Sequence, residues 1–183
     1  MPALAILGRA LRNRRSDPAL GVAGRAELAV DRTLAVASPA FADGGEIPAV
    51  HGGRGGNVSP ALSWSGVPEG NGQLLLVLED VDVPKRTLAV HTIALIDPSS
   101  TGLGEGELRD SATVRLVPAM LGIKRYVGPR PLPGHGPHRY GFHLWSLDRA
   151  VPAGTRLKSL AQLLPLIAGH VTAHGVVVGI QEG

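Results

Sequence analysis

The sequence predicts a mostly β protein, and three observations carry that prediction. Twenty-five glycines and 15 prolines punctuate the 183 residues without a collagen period, as expected of many turns between short strands. Between them lie short apolar runs, two of which, Gln73–Glu79 and Leu88–Ile96, are nearly continuous and read as strands buried on both faces. Helical spacing is strongest late in the chain, so there is no βαβ alternation of the kind that builds a parallel sheet.

Taken in order, the chain opens with a segment in which Ala3, Ile6, Leu7, Ala10 and Leu11 share one helical face. Residues 1–24 are read as a basic segment of their own, a short helix or flexible tail. The helix would pack on the domain or a partner subunit, or rest weakly on a membrane surface. Residues 25–183 are read as one domain. Glu27–Val36 reads as a strand, and Ile47–Val50 as a short one broken by Pro48. The glycine run from His51 to Asn57 is a flexible loop; it lacks the GK[ST] ending and the following helix of a phosphate loop. Pro60–Trp64 is a brief strand. The two buried runs follow, then a short edge strand within Ala112–Ile123. From Gly128 to Pro137 prolines and glycines exclude regular structure. Alternation then returns, with Tyr140, Phe142 and Leu144 on one face and His143, Trp145 and Leu147 on the other. Two helices are predicted, near Arg156–Gln162 and Leu164–Ala173, divided by Pro165, before a last buried strand at Gly175–Ile180.

Composition narrows the function classes. The sequence pI of about 9.8 suggests a nucleic-acid partner, but Arg9, Arg12, Arg14 and Arg15 fall in a stretch, residues 1–15, that holds no acid. Removing those four from the 18 basic residues leaves 14 against 15 acidic ones, so the body is nearly neutral. Aromatic residues are 3% of the chain, too few for base-stacking platforms. No nucleic acid is expected as a partner. No apolar run reaches the ~18 residues of a membrane span. The absence of cysteine excludes disulfides and thiolate metal sites and fits a reducing compartment, so a cytoplasmic location is expected.

Ionisable residues inside buried strands carry the functional signal, because burying them without partners is costly. Asp80 and Asp82 end one strand, His91 lies within the next, and His138 and Tyr140 begin a third. Were those strands neighbours, Asp80, His91, His138 and Tyr140 would line one cavity suited to an anion. Histidine nitrogens and a tyrosine hydroxyl donate to phosphate-type oxygens, while a carboxylate orients a histidine and favours its cation. His135, set between glycines, is expected to be exposed. His135 and His138 have HxxH spacing, but Pro137 makes it a rigid turn; His170 and His174, four apart on the expected C-terminal helix, are read as structural. No metal site and no cofactor is assigned.

Two motifs give these residues a family. Asp80-Val-Asp82-Val83-Pro84 follows an apolar strand, with His91 on the next. Tyr126-Val-Gly128-Pro129 leads through Pro133-Gly134 to His138-Arg139-Tyr140. Together with Ser59–Trp64 and Gly169-His170-Val171, they make residues 28–181 resemble the phosphatidylethanolamine-binding proteins, also called Raf-kinase-inhibitor-like proteins, and most of all their bacterial branch. The resemblance implies a large antiparallel sheet packed on a smaller one, with short helices near the C-terminus. It implies a pocket for phosphate-like anions or phospholipid head groups lined by Asp80, Pro84, His91, Gly128, His138 and Tyr140, supported by Asp82, Pro129 and Arg139. It also makes Val83–Pro84 a candidate cis peptide bond. Val81 and Val83 replace a proline and an alanine of the family motif, and Val90 and Thr92 flank His91 where many relatives carry an aromatic residue; these departures bear on pocket width and head-group preference.

The expected function is therefore non-enzymatic binding of a small anion or head group. The alternatives are a regulatory module that engages a protein partner, and a hydrolase using Asp80 and His91. The last lacks an evident nucleophile: there is no cysteine and no GxSxG elbow. A homodimer is a further possibility the residues leave open.

Overall fold

The computed structural model describes residues 2–183 as two β-sheets with two α-helices. The helices are α1 (Pro2–Leu11) and α2 (Leu160–Ile167). The strands are β1 (Ala35–Ala37), β2 (Gly45–Glu46), β3 (Leu62–Ser65), β4 (Gln73–Asp80), β5 (Ala89–Ile96), β6 (Gly102–Leu103), β7 (Val114–Val117), β8 (His138–Leu147) and β9 (Val171–Gln181). Six strands form the large sheet in the order β2-β9-β8-β4-β5-β7, and three form the small one, β1-β3-β6. Every pairing is antiparallel except β2 with β9.

Apolar side chains cover both faces of the large sheet, which is why β4 reads as a continuous apolar run. On one face Leu74, Leu76, Leu78, Phe142, Leu144, Ala94 and Ile96 meet Leu62, Trp64 and Leu103 of the small sheet. On the other, Leu75, Val77, Ile93, Leu95, Trp145 and Leu147 meet Leu163, Leu164 and Ile167 of α2, with Val22 and Leu28. The alternation predicted for β8 is the one observed.

Several local expectations are corrected. Glu27–Val36 is not one strand. The chain makes three successive 3-10 turns between Pro18 and Leu28, and burial of Leu28 comes from a turn instead of a paired strand. Ile47–Val50 leaves the sheet after Ile47 donates to the Ile180 carbonyl (2.7 Å); Pro48 has no N–H to continue the ladder, and a 3-10 turn over Ala49–His51 follows. The two late helices are one, α2. Pro165 sits on its exposed side, and Gly169 (φ 77°) takes the left-handed conformation that ends helices. His170 and His174 consequently lie in a turn and in β9, not on a helix. No cis peptide bond occurs among the described residues, so Val83–Pro84 is trans.

The N-terminal segment is laid down differently from its hydrophobic pattern. α1 rests on the loop Pro133–His135 through Gly8, where an added Cβ would lie 1.9 Å from the Pro133 carbonyl oxygen. Gly134 completes the close approach with φ 77°. Ile6 and Leu7 point outward.

Candidate functional site

At one end of the large sheet, where β4 stops and β8 starts, the buried polar groups meet. Register places most of them. Asp80 pairs with Tyr140 across β4 and β8, and alternation sets both on the face shared by Leu78 and Phe142. His91 arrives through an irregularity. Leu78 pairs with Thr92 but Glu79 with Val90, leaving His91 as the extra residue of a β-bulge. A bulge re-aims a side chain. Here His91 and Thr92 both reach the 126–128 loop: His91 Nδ1 donates to the Val127 carbonyl (3.2 Å), and Thr92 Oγ1 accepts from the Val127 amide (3.1 Å).

The four groups share one place. Asp80 Oδ2 accepts from His138 Nδ1 at 2.8 Å, and Asp80 Oδ1 accepts from the Asp82 amide at 2.8 Å. The Tyr140 ring stacks near His138 (6.3 Å between centroids) and meets His91 edge-on at 5.5 Å. None of Asp80, His91, His138 and Tyr140 is more than 5% exposed, so the site is closed.

His135 closes it. It is 1% exposed, contrary to the expectation from its glycine neighbours. Its Nδ1 lies 2.7 Å from His138 Nε2, and its Nε2 faces the carbonyls of Leu11 (2.9 Å) and Arg14 (3.0 Å). The partners fix the protons. Carbonyls only accept, so His135 Nε2 carries a hydrogen. Arg15 Nη1 also lies 3.1 Å from His135 Nδ1, but its two hydrogens serve the Asp82 and Pro137 carbonyls (3.2 Å each). One hydrogen lies on the 2.7 Å contact between His135 Nδ1 and His138 Nε2. With His138 Nδ1 donating to Asp80 and His135 Nε2 to carbonyls, the two rings hold three hydrogens between them beside the Asp80 carboxylate.

Two groups remain uncommitted. The buried Tyr140 hydroxyl has no partner in good hydrogen-bond geometry among the described residues, although the Asp80 carboxylate and the Arg130 backbone lie close by; burial first, and then the Asp80 carboxylate, hold its pKa well above the usual tyrosine range. His91 Nε2 makes no hydrogen bond among the described residues. Burial pulls the His91 pKa down, and the Asp80 charge offsets this only in part. The site thus presents a hydrogen-bonded histidine pair beside a carboxylate, the imidazole of His91 and the Tyr140 hydroxyl.

The supporting residues frame it. Asp82 accepts from the Arg139 amide (2.8 Å), Nε (2.8 Å) and Nη2 (3.0 Å), while Arg15 Nη1 donates to the Asp82 carbonyl (3.2 Å). Burial pushes the Asp82 pKa up, but the hydrogen bonds and charge of Arg139, with the charge of Arg15, outweigh it and leave it lowered. The Gly128 amide donates to Asn57 Oδ1 (2.8 Å), and a Cβ there would lie 2.0 Å from the His51 carbonyl oxygen. Pro129 is buried, and its carbonyl accepts from Gly53 (2.7 Å). Pro84 lies half-buried in the loop between β4 and β5. Sequence reasoning missed Arg15, His135, Asn57 and Thr92. It set the arginine-rich segment apart from the pocket, whereas Arg15 sits on its rim.

A second polar cluster occupies the opposite face. Glu79 Oε1 lies 3.1 Å from His143 Nε2, His143 Nδ1 lies 3.0 Å from His174 Nε2, and the His174 ring stacks on Trp145 at 4.5 Å. His170 pairs with Asp148 (2.8 Å). No group of three or more metal-ligating side chains suits an ion among the described residues. Two open surface grooves, of about 320 and 400 Å³, lie elsewhere; the first is lined by Arg115, Lys124 and Arg156, the second by Ser65, Asn71 and Ser100.

The family profile described as phosphatidylethanolamine-binding protein matches residues 37–182. The chain belongs to the phosphatidylethanolamine-binding protein family. A UPF0098 protein of Methanothermobacter thermautotrophicus is 35% identical over 146 residues, covering 77% of this chain and 93% of the relative. A UPF0098 protein of Mycobacterium tuberculosis is 36% identical over 153 residues, covering 82% and 71%. The crystal structure of the Chlamydia trachomatis phosphatidylethanolamine-binding protein homologue CT736 superposes with a TM-score of 0.74 at 30% identity, covering 84% of this chain and 99% of that one. The family's fold of two sheets is the one described above. No helix among the described residues is long and apolar enough to cross a membrane.

Proposed function

We propose that the Asp80–His138–His91–Tyr140 site binds a small anion, a phosphate or a phosphorylated head group such as phosphorylethanolamine, without turning it over. The observation that carries this reading is the Tyr140 hydroxyl. A buried hydroxyl left without a partner costs free energy, and such groups in native proteins call for an explanation. A ligand oxygen accepting from it supplies one. The His135–His138 pair, with three ring hydrogens beside Asp80, brings donors to the same place, and His91 Nε2 adds a further nitrogen. Membership of a family named for a phospholipid supports the class of ligand.

Tyr140→Phe tests the reading. It deletes a hydroxyl that makes no well-formed hydrogen bond among the described residues, so the melting temperature is expected to hold or rise. A hydrogen bond to a charged ligand contributes about 1.5–3 kcal/mol, so affinity for phosphorylethanolamine by calorimetric titration is expected to fall roughly 10- to 100-fold. Unchanged affinity in a folded Tyr140→Phe protein would show that the hydroxyl does not meet the ligand.

A further inference from the structure

We infer that α1 is a docking element for an anionic lipid bilayer, separate from the pocket. Three observations carry this.

The helix is oriented against its own hydrophobic pattern. The side turned to the protein is made of small residues, Ala5 and Gly8, packed on backbone atoms of Pro133 to His135. The side turned away is apolar: Ile6 is 60% exposed, Leu7 48% and Leu4 45%, with Ala3 and Ala10 also exposed between them. A helix docked for its hydrophobicity would turn these inward.

That orientation is fixed at both ends. An added Cβ at Gly134 would lie 2.6 Å from the Ala5 carbonyl oxygen, and one at Gly8 would lie 1.9 Å from that of Pro133, so backbone meets backbone in one arrangement. At the end of the helix His135 Nε2 holds the Leu11 carbonyl, and beyond it Arg15 is bonded to the Asp82 and Pro137 carbonyls (3.2 Å each). Rolling the apolar side inward would break these contacts.

The charge around the exposed side is of one sign. Residues 1–15 hold four arginines and no acid. Arg15 is engaged at the rim, whereas Arg9, Arg12 and Arg14 are exposed and pair with no carboxylate among the described residues. A ten-residue helix spans about 15 Å. An exposed leucine–isoleucine side flanked by cations is the pattern of helices that lie in the head-group layer, with apolar side chains below the phosphates and guanidinium groups among them. An acidic protein surface would match the charge but not an uncovered apolar side.

Vesicle co-sedimentation of the full chain tests this. The vesicles are phosphatidylcholine alone or with phosphatidylglycerol, so no ethanolamine head group is present. Tyr140→Phe, altered in the pocket and not in α1, is expected to sediment as the wild type does, which separates the helix from the pocket. The protein is expected to sediment with the anionic vesicles, not the neutral ones, and to be released by high salt. Ile6→Ser with Leu7→Ser is expected to reduce partitioning about tenfold or more, at an unchanged melting temperature because both residues are exposed. Replacing Arg12 and Arg14 by glutamine is expected to weaken it about fivefold per charge. No sedimentation with anionic vesicles, or undiminished sedimentation of the serine variant, overturns the inference. So does a wild-type dimer that the serine variant converts to monomer, since the apolar side would then belong to a second copy.

Discussion

Asp80→Asn separates the shape of the site from its charge. In the native protein Oδ1 accepts from the Asp82 amide and Oδ2 from His138 Nδ1, both at 2.8 Å. Asparagine fits the same frame: its oxygen keeps the Asp82 amide, and its NH₂ donates to His138 Nδ1. His138 then has a hydrogen only on Nε2, still bonded to His135 Nδ1. Every buried partner is kept and one positive charge is lost, so the expected stability cost is modest, about 1–2 kcal/mol for exchanging a charged hydrogen bond for a neutral one. The effect on a bound anion is larger. Losing one charge-assisted interaction of about 2–3 kcal/mol weakens binding roughly 30- to 150-fold. With phosphate at about 100 times its wild-type Kd, ligand stabilises the wild type by about 2.7 kcal/mol, and a variant bound 100-fold more weakly by about 0.4 kcal/mol. At about 2–4 °C per kcal/mol for a chain of this size, the melting temperature rises by about 5–11 °C in the wild type and about 1 °C in the variant. Scanning fluorimetry at constant ionic strength reads both. A folded Asp80→Asn protein that keeps the full rise would refute the argument that Asp80 sets the charge of the site.

Two further outcomes follow from the geometry. Burial, with the neighbouring His143 charge, lowers the His174 pKa to about 4, against 6.5 for an exposed histidine. The unfolded chain therefore takes up a proton at this residue before the folded one does, and stability is expected to fall as pH drops from about 6.5 toward 4. Denaturant midpoints across that range are expected to show a shallower decline for His174→Gln; an identical decline would place the titration elsewhere. Gly128→Ala puts a methyl group 2.0 Å from the His51 carbonyl oxygen, between the Tyr126 ring and the Asn57 amide. A loss of roughly 2 kcal/mol or more by chemical denaturation is expected, against little change for Gly154→Ala, where nothing lies within 4 Å.

Much of this was legible in the residues, for identifiable reasons. The continuous run of β4 and the alternation of β8 fixed which side chains share a face, and the two motifs located Asp80, His138 and Tyr140. His91 was legible as a buried polar residue, but not how it gets there: the bulge beside Leu78 depends on the partner strand. His135 was misjudged because flanking glycines describe backbone freedom, not what covers a side chain. Its cover comes from the Leu11 and Arg14 carbonyls, more than 120 positions away in the chain. The outward apolar side of α1 was illegible for a related reason. Periodicity says which residues share a side, while backbone contacts at Gly8 and Gly134 decide which side is turned inward. The strand expected over Glu27–Val36 fails at its start, where the 3-10 turn over Ala26–Leu28 bonds within itself, while farther on Thr33 bridges His174 and Ala35 and Val36 pair with β3.

The position of His135 has a thermodynamic consequence. One nitrogen of His138 serves Asp80 and the other serves His135, so an anion that takes its hydrogen bond from His138 Nε2 must displace His135. His135 also holds the carbonyls of Leu11, the last residue of α1, and of Arg14. On the proposed reading of the site, its occupancy and the attachment of the segment through Arg15 are competing equilibria linked through a single imidazole. By reciprocity, whatever free energy the segment gains by docking is subtracted from anion affinity, and a bound anion loosens the segment by the same amount.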